Sequence, residues 1–170
     1  MRADIQIYSP SANQISMRSI VGSGTLQSIN AGEPTIGANA SAATWTGAVK
    51  IAADADPTGV TAHRFTGIAK SDSSDTVAAA GYVEVWVPCA NTIYSADAKT
   101  ASLVASQALI DAMRFKRVVF DLTSTKWSVD TAASDSVANG LVILGGDWTK
   151  GEVRFLIIPT VSIIGQIPSA

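Results

Sequence analysis

Asp54, Asp56, Thr58 and Gly59 stand at the first, third, fifth and sixth offsets of a calcium-binding loop. The twelfth offset of such a loop supplies a bidentate carboxylate, and here it is Phe65. Without that ligand the cage stays open. D-A-D-P-T-G therefore reads as a turn, with Pro57 setting φ and Gly59 free to take φ > 0. Ser71-Asp72-Ser73-Ser74-Asp75 likewise reads as a solvated loop before a cation cage. His63 is the only histidine and Cys89 the only cysteine, so neither a histidine-built zinc centre nor an intrachain disulfide is available. A Ser-His-Asp triad would have to rest on His63 with no Gly-x-Ser-x-Gly elbow. Gly22-Ser23-Gly24 lacks the lysine and the spacing of a phosphate loop. The eleven Asp form too many combinations for any one carboxylate pair to signal glycoside hydrolysis. The expectation is no catalytic, cofactor-binding or metal site, and no enzyme.

Four tryptophans remain: Trp45, Trp86, Trp127 and Trp148. Aromatic platforms of this kind stack on sugars, but loop tryptophans more often anchor protein interfaces. Trp86 lies in a strand pattern and is expected in the core, while Trp148 falls in a hairpin loop and is expected exposed. Asn39-Ala40-Ser41 spells a glycosylation sequon without a secretion signal to give it meaning.

The elements that would carry these residues are strands. Gly81–Pro88, G-Y-V-E-V-W-V-P, places Tyr82, Glu84 and Trp86 on one side and Val83, Val85 and Val87 on the other. Gly81 opens the strand and Pro88 closes it, since proline donates nothing to a ladder. Phe65–Ala69 is its expected partner strand. Gly47–Ala52 and 116–130 also read as strands, the latter with a turn near Ser124. Segments 140–144 and 152–158 bracket G-G-D-W-T-K-G as a hairpin. The apolar run 155–158 belongs inside a barrel or sandwich rather than on a solvated edge. Residues 97–114 carry the one helical pattern, with Leu103, Ile110 and Met113 on a face and Asp97 as its N-cap, although Val104 and Leu109 break the stripe and leave two short strands as the alternative for part of it. Residues 1–30 alternate weakly and are expected as an extended N-terminal arm with one or two short strands. The arm either lies along its own domain or docks on a neighbour. The apolar tail V-S-I-I-G-Q-I-P-S-A is expected to be covered. Frequent turn signals favour short antiparallel strands over βαβ units.

Composition bounds the partners. The 170 residues suit one domain with one sizeable core. Charged residues make up 15%, against about 25% in a typical globular protein. Ala, Ser and Thr fill 61 of the 170 positions. That surface is neutral and has little side-chain entropy to lose on contact, a composition that fits equally a protein that packs against other subunits and a soluble β protein with a plain surface. The net charge of −2 leaves no footprint for nucleic acid. Arg114, Lys116 and Arg117 form the only basic cluster, flanked by Asp111 and Asp121. The N-terminus has no apolar signal region, and no apolar run approaches the ~18 residues of a membrane helix. Folding in a cytoplasm, without membrane or nucleic acid, is the expectation.

H-R-F-T-G-I-A-K-S-D at 63–72, running into A-A-G-Y-V-E-V-W-V-P, resembles the Phe-x-Gly-[Ile/Val]-Ala pattern of head decoration proteins of tailed bacteriophages. A-N-G-L-V-I-L-G-G-D-W-T-K-G-E-V-R-F-L-I at 138–157 resembles their closing hairpin. The resemblance covers 60–88 and roughly the second half of the chain, and is carried by glycines and alternation.

It implies a mainly β domain over 31–170: a small antiparallel β-barrel, β-tulip-like or sandwich, with the arm at 1–30 and at most one short helix near 98–113. It further implies a cement protein on the capsid outer surface, a homo-oligomer with the trimer favoured, whose partner is the major capsid protein. Other expectations are a different virion part (a head-fibre base or tail protein) and, from a separate class, a carbohydrate-binding β-sandwich. The last would need several exposed aromatics in one groove.

Overall fold

The computed structural model describes residues 4–10, 14–21, 28–37, 48–57, 65–73, 81–89 and 91–158. Twelve strands follow in chain order: β1 (Ile5–Ser9), β2 (Ser16–Val21), β3 (Pro34–Gly37), β4 (Ala48–Ile51), β5 (Phe65–Ala69), β6 (Tyr82–Trp86), β7 (Ile93–Asp97), β8 (Arg117–Val118), β9 (Phe120–Thr123), β10 (Lys126–Val129), β11 (Leu141–Asp147) and β12 (Glu152–Ile157). A 3-10 turn at Ala101–Val104 and one α-helix, α1 (Gln107–Ala112), lie between β7 and β8. The chain is mainly β, as its alternation and turn spacing predict.

The strands make two bodies. One is a five-stranded antiparallel sheet in the order β1-β7-β12-β11-β8. In the other, the pairings β2-β4-β3-β5-β6 close on themselves as a small barrel. The β9–β10 hairpin turns at Ser124 (φ +59°) and meets the first sheet through an Ala98–Val129 bridge.

β5 pairs with β6 as expected, Ile68 opposite Trp86 and Ala69 opposite Val85. Burial alternates along β6: Val83, Val85 and Val87 are buried, and Tyr82 is 43% exposed. One barrel pairing departs from the antiparallel expectation, because β2 and β4 run parallel. A parallel pair needs a long crossover, and the intervening residues, which include β3, provide one.

The stretch 1–30 carries two short strands, as expected, and they lie along the domain itself: β1 pairs antiparallel with β7, and β2 pairs with β6. Ile5 is buried in the main core, an anchor that weak local alternation does not reveal. The helical pattern at 97–114 is broken into two short pieces. Asp97 ends β7, and the N-cap of α1 is Ser106, whose Oγ accepts the Leu109 N–H at 3.3 Å. Val104 is buried from the 3-10 turn and Ile110 from α1. Restarting the helix at Ser106 is what lets both face inward.

The main core joins the two bodies: Ile36, Phe65 and Ile68 of the barrel pack in one cluster with Tyr94, Val153 and Phe155 of the sheet. At its centre the Phe120 ring lies 6.1 Å from Phe65, 6.3 Å from Trp127 and 5.6 Å from Phe155. A smaller cluster of Val21, Ile29, Ala69, Val83 and Val85 fills the barrel.

Among the described residues the Tyr94 hydroxyl is buried without a hydrogen-bond partner, and burial, with Cys89 nearby, pushes its pKa upward. A buried hydroxyl with no partner carries its full desolvation cost. Tyr94→Phe is therefore expected to raise the unfolding free energy by about 1 kcal/mol. Urea titration checks this, and a loss of stability would refute it.

Candidate interaction surface

The outer side of the barrel gathers alternate residues of β6 and β2. Tyr82, Glu84 and Trp86 share one side of β6. The antiparallel register sets Ser16 opposite Trp86 and Arg18 opposite Glu84. Lys70, one residue past β5, donates its backbone N–H to the Glu84 carbonyl at 2.7 Å, which brings its side chain to the same face.

These side chains interlock. The Arg18 guanidinium sits 4.1 Å from the Tyr82 ring centre and the Lys70 ammonium 4.8 Å from that of Trp86. Lys70 Nζ also lies 2.7 Å from Glu84 Oε2 and 3.4 Å from Ser16 Oγ. Cation, ring, carboxylate, cation and ring thus alternate across about four residues of strand.

Each exposed contact contributes modestly, about 0.5–1 kcal/mol for a cation over a ring and about 0–1 kcal/mol for the ion pair. Their larger consequence is order. Long side chains already held in place lose less entropy when a partner docks. Tyr, Trp and Arg are also the residues that dominate interface energetics.

Two grooves flank the ladder. One, of about 230 Å³, is lined by Arg18, Ser71, Asp72, Tyr82, Val83 and Glu84. The other, of about 200 Å³, runs between β1 and the barrel, with Ile5, Ile7, Ile68 and Trp86 among its walls. Each ring of the face is covered by a cation, and Glu84 is engaged by Lys70.

Trp86 corrects the sequence expectation. It is half-buried on this outer face, while Trp127 fills the core completely. Both sit in strands, and local pattern does not say which side of a strand the interior will occupy. Trp148 is 50% exposed beyond β11, as expected. Trp45, His63, Gly22-Ser23-Gly24 and Asn39-Ala40-Ser41 lie outside the described residues.

The calcium-like loop folds as a turn where it is described. Asp54 Oδ1 accepts the Leu122 N–H at 2.9 Å, and buried Asp56 uses Oδ2 to accept the Ala53 N–H at 2.8 Å. Thr58 and Gly59 are outside the described residues. Asp72 and Ser73 stitch their loop to residues 29–31 by accepting the N–H groups of Ala31 and Ile29. Among the described residues, no group of three His, Cys, Asp or Glu side chains is placed to hold a metal ion. No described helix is long and apolar enough to cross a membrane. Arg18 and Lys70 went unselected by sequence reasoning. Arg18 is readable as the alternate partner of Ser16, but its meeting with Tyr82 requires knowing that β2 lies beside β6.

A second polar groove, of about 210 Å³, is lined by Asp97, Ala98, Lys99, Thr123, Lys126 and Ser128. Lys99 Nζ lies 2.5 Å from Asp121 and 3.5 Å from Asp130, and Lys126 lies 2.5 Å from Asp97. Burial would push the Asp121 carboxyl up, but hydrogen bonds from Lys99 and Thr123 hold it below its ordinary value. The Asp121 bond in turn holds the Lys99 ammonium above its own. A carboxyl lowered by folding stabilises the fold at pH above its unfolded value of 3.8, and that stability is lost as pH falls through the folded value. Lys99 contributes below 10.5, and its share is lost as pH rises beyond the folded value.

The urea midpoint is therefore expected to drop on acidification below about pH 4, and Asp121→Asn to flatten that limb. Asp147, lowered chiefly by the Thr149 hydroxyl, keeps part of it. An acid limb unchanged in Asp121→Asn would refute the assignment.

No family model, no curated protein and no solved structure matches the chain.

Proposed function

We propose that this chain is a structural virion protein that decorates the outer surface of a tailed-bacteriophage capsid and stabilises contacts between major capsid proteins. The observation that carries the reading is the ordered, outward-facing row Arg18–Tyr82–Glu84–Lys70–Trp86, in which Arg18, Tyr82 and Trp86 are of the residue types that anchor protein interfaces. The charge-poor composition supports it, and so does the resemblance of 63–88 and 138–157 to decoration proteins. Several copies held together would present several such rows, and contacts made at once multiply in effective affinity.

Tyr82 and Trp86 on one face also meet part of the requirement for sugar stacking. A cation already covers a face of each ring, which favours the protein partner.

The test is co-sedimentation with purified capsid shells of the phage that carries the protein, in immature and expanded forms. The wild type is expected to pellet with expanded shells. Tyr82→Ala and Trp86→Ala are each expected to weaken binding by about tenfold or more, as truncated interface anchors do. Failure to pellet with either shell, or glycan-array binding without shell affinity, would overturn the reading.

A further inference from the structure

We infer that residues 161–167 of this same chain pair with the free edge of β1 as a further strand and fill the groove between β1 and the barrel. The inference stands apart from the decoration reading.

β1 is one edge of the five-stranded sheet and pairs only with β7 among the described residues. The Ile5 N–H donates to the Gly32 carbonyl at 3.3 Å, so it points away from β7. Backbone groups of an antiparallel strand alternate in direction. The Ile5 carbonyl and both backbone groups of Ile7 therefore point the same way, and among the described residues the Ile7 N–H has no acceptor. On that side lies the groove of about 200 Å³, where Gly32, Ile68 and Trp86 face Ile5 and Ile7. A largely apolar slot with a bare strand edge in one wall takes an extended chain. Backbone bonds hold such a chain, and every second side chain enters the slot.

Sequence selects the occupant. The stretch P-T-V-S-I-I-G-Q-I at 159–167 follows Ile158 and lies outside the described residues. Val161, Ile163, Gly165 and Ile167 fall on one side at period 2, and Ser162, Ile164 and Gln166 on the other. The stretch carries no charge. Lys70, in the groove wall, is already engaged by Glu84 at 2.7 Å, so an uncharged occupant leaves that pair intact.

Reach selects the same chain. β12, β7 and β1 lie side by side, with Phe155 opposite Tyr94 and Tyr94 opposite Ile7. Ile158 stands three residues beyond that row (158 − 155 = 3). A strand outside β1 is three strand spacings from β12, about 14 Å, and the row is about 10 Å back along it. The direct path is about 17 Å, and the nine residues from Ile158 to Ile167 (167 − 158 = 9) extend to about 30 Å. The segment turns back to make this path, so it meets β1 antiparallel, the more stable pairing. Held by so short a span, it faces its own groove at about millimolar effective concentration, which favours it over the same segment of a second copy.

Hydrogen exchange on the full-length chain reads the backbone bond directly. The Ile7 amide is expected to exchange slowly in the wild type, and faster by about tenfold or more in Ile163→Asp with Ile167→Asp. Ser162→Asp with Gln166→Asp, on the other side of the strand, should leave it within about twofold. The Tyr94 and Phe155 amides, inside the sheet, report that each variant is folded. Photoreactive benzoylphenylalanine at position 167 of the otherwise wild-type chain gives a readout that needs none of those variants. Irradiation should produce an adduct of monomer mass that maps to 5–7, 31–32, 68–70 or 86. A rapidly exchanging Ile7 amide in the wild type, or protection that survives Ile163→Asp with Ile167→Asp in a folded chain, would overturn the inference. So would an adduct that joins two chains or maps elsewhere. None of these readouts uses capsid shells, so failure here leaves the decoration reading to its own test.

Discussion

Phe120→Ala is expected to lower the unfolding free energy by about 3–5 kcal/mol, the range for truncating a buried aromatic. Phe120 is fully buried and touches three rings that arrive from different parts of the fold: Phe65 from the barrel, Trp127 from the β9–β10 hairpin and Phe155 from the sheet. Its backbone is fixed independently, donating to the Asp56 carbonyl at 2.7 Å and accepting from the Ala55 N–H at 3.1 Å. The strand therefore stays in place when the ring is removed, and the neighbours cannot collapse freely into the void. A cavity that cannot close raises the cost toward the upper end. Small domains are stable by about 5–15 kcal/mol in total, so the variant should unfold at much lower urea and lose near-ultraviolet dichroism. A change under about 1 kcal/mol would mean that the barrel, the sheet and the β9–β10 hairpin are not joined through this ring.

Gly67→Ala is expected to be comparably damaging, at about 3 kcal/mol or more, through backbone rather than packing. Gly67 holds φ at +148°, and a Cβ built there would lie 2.0 Å from the Trp86 carbonyl oxygen and 2.8 Å from Val85 Cγ1. The clash is with backbone of the adjacent strand, so only separation of β5 from β6 relieves it. The β3–β5 register shifts at the same place, between Thr35 and Ile36, passing over Thr66. Thr35 and Thr66 close that irregularity with a hydroxyl pair at 2.8 Å, and the Thr35 hydroxyl also donates to the Gly67 carbonyl at 3.0 Å. Separating β5 from β6 should also disorder the row of Tyr82, Glu84 and Trp86, so shell binding should fall together with stability. Wild-type stability in Gly67→Ala would contradict this account of the close approach.

Gly67 also bears on the resemblance to phage decoration proteins. It is the glycine of Phe-x-Gly-Ile-Ala, the pattern that suggested the family. Here it serves a strand crossing in a small barrel, a requirement of architecture that any similar barrel would share. For that reason the interface row and its shell-binding test, rather than the motif, carry the functional proposal.

The strands at 65–69, 82–86, 141–147 and 152–157 were legible because period-2 alternation and bounding glycines or proline are local properties. The same alternation placed Tyr82, Glu84 and Trp86 on one side, and so half of the candidate surface could be read directly. Its cations could not. Arg18 and Lys70 come from segments whose adjacency to β6 is set by long-range pairing. The partners of the N-terminal strands could not be read for a related reason. β1 gains its partner in β7, more than eighty residues on, and weak apolar alternation shows nothing of that closure. The helix at 97–114 was half right, since propensity saw the apolar positions but not the break before Ser106.

What the amino-acid order determined by itself is the strand-rich class and the faces within each strand, together with a sparse and slightly acidic charge balance. All of these depend on residue type and spacing alone. Only tertiary structure decided which faces became interior, why Trp127 is core and Trp86 is not, and that rings and cations meet on the barrel's outer side. Those outcomes depend on which distant strands pair, and the free energy of pairing is shared among segments that no local window contains.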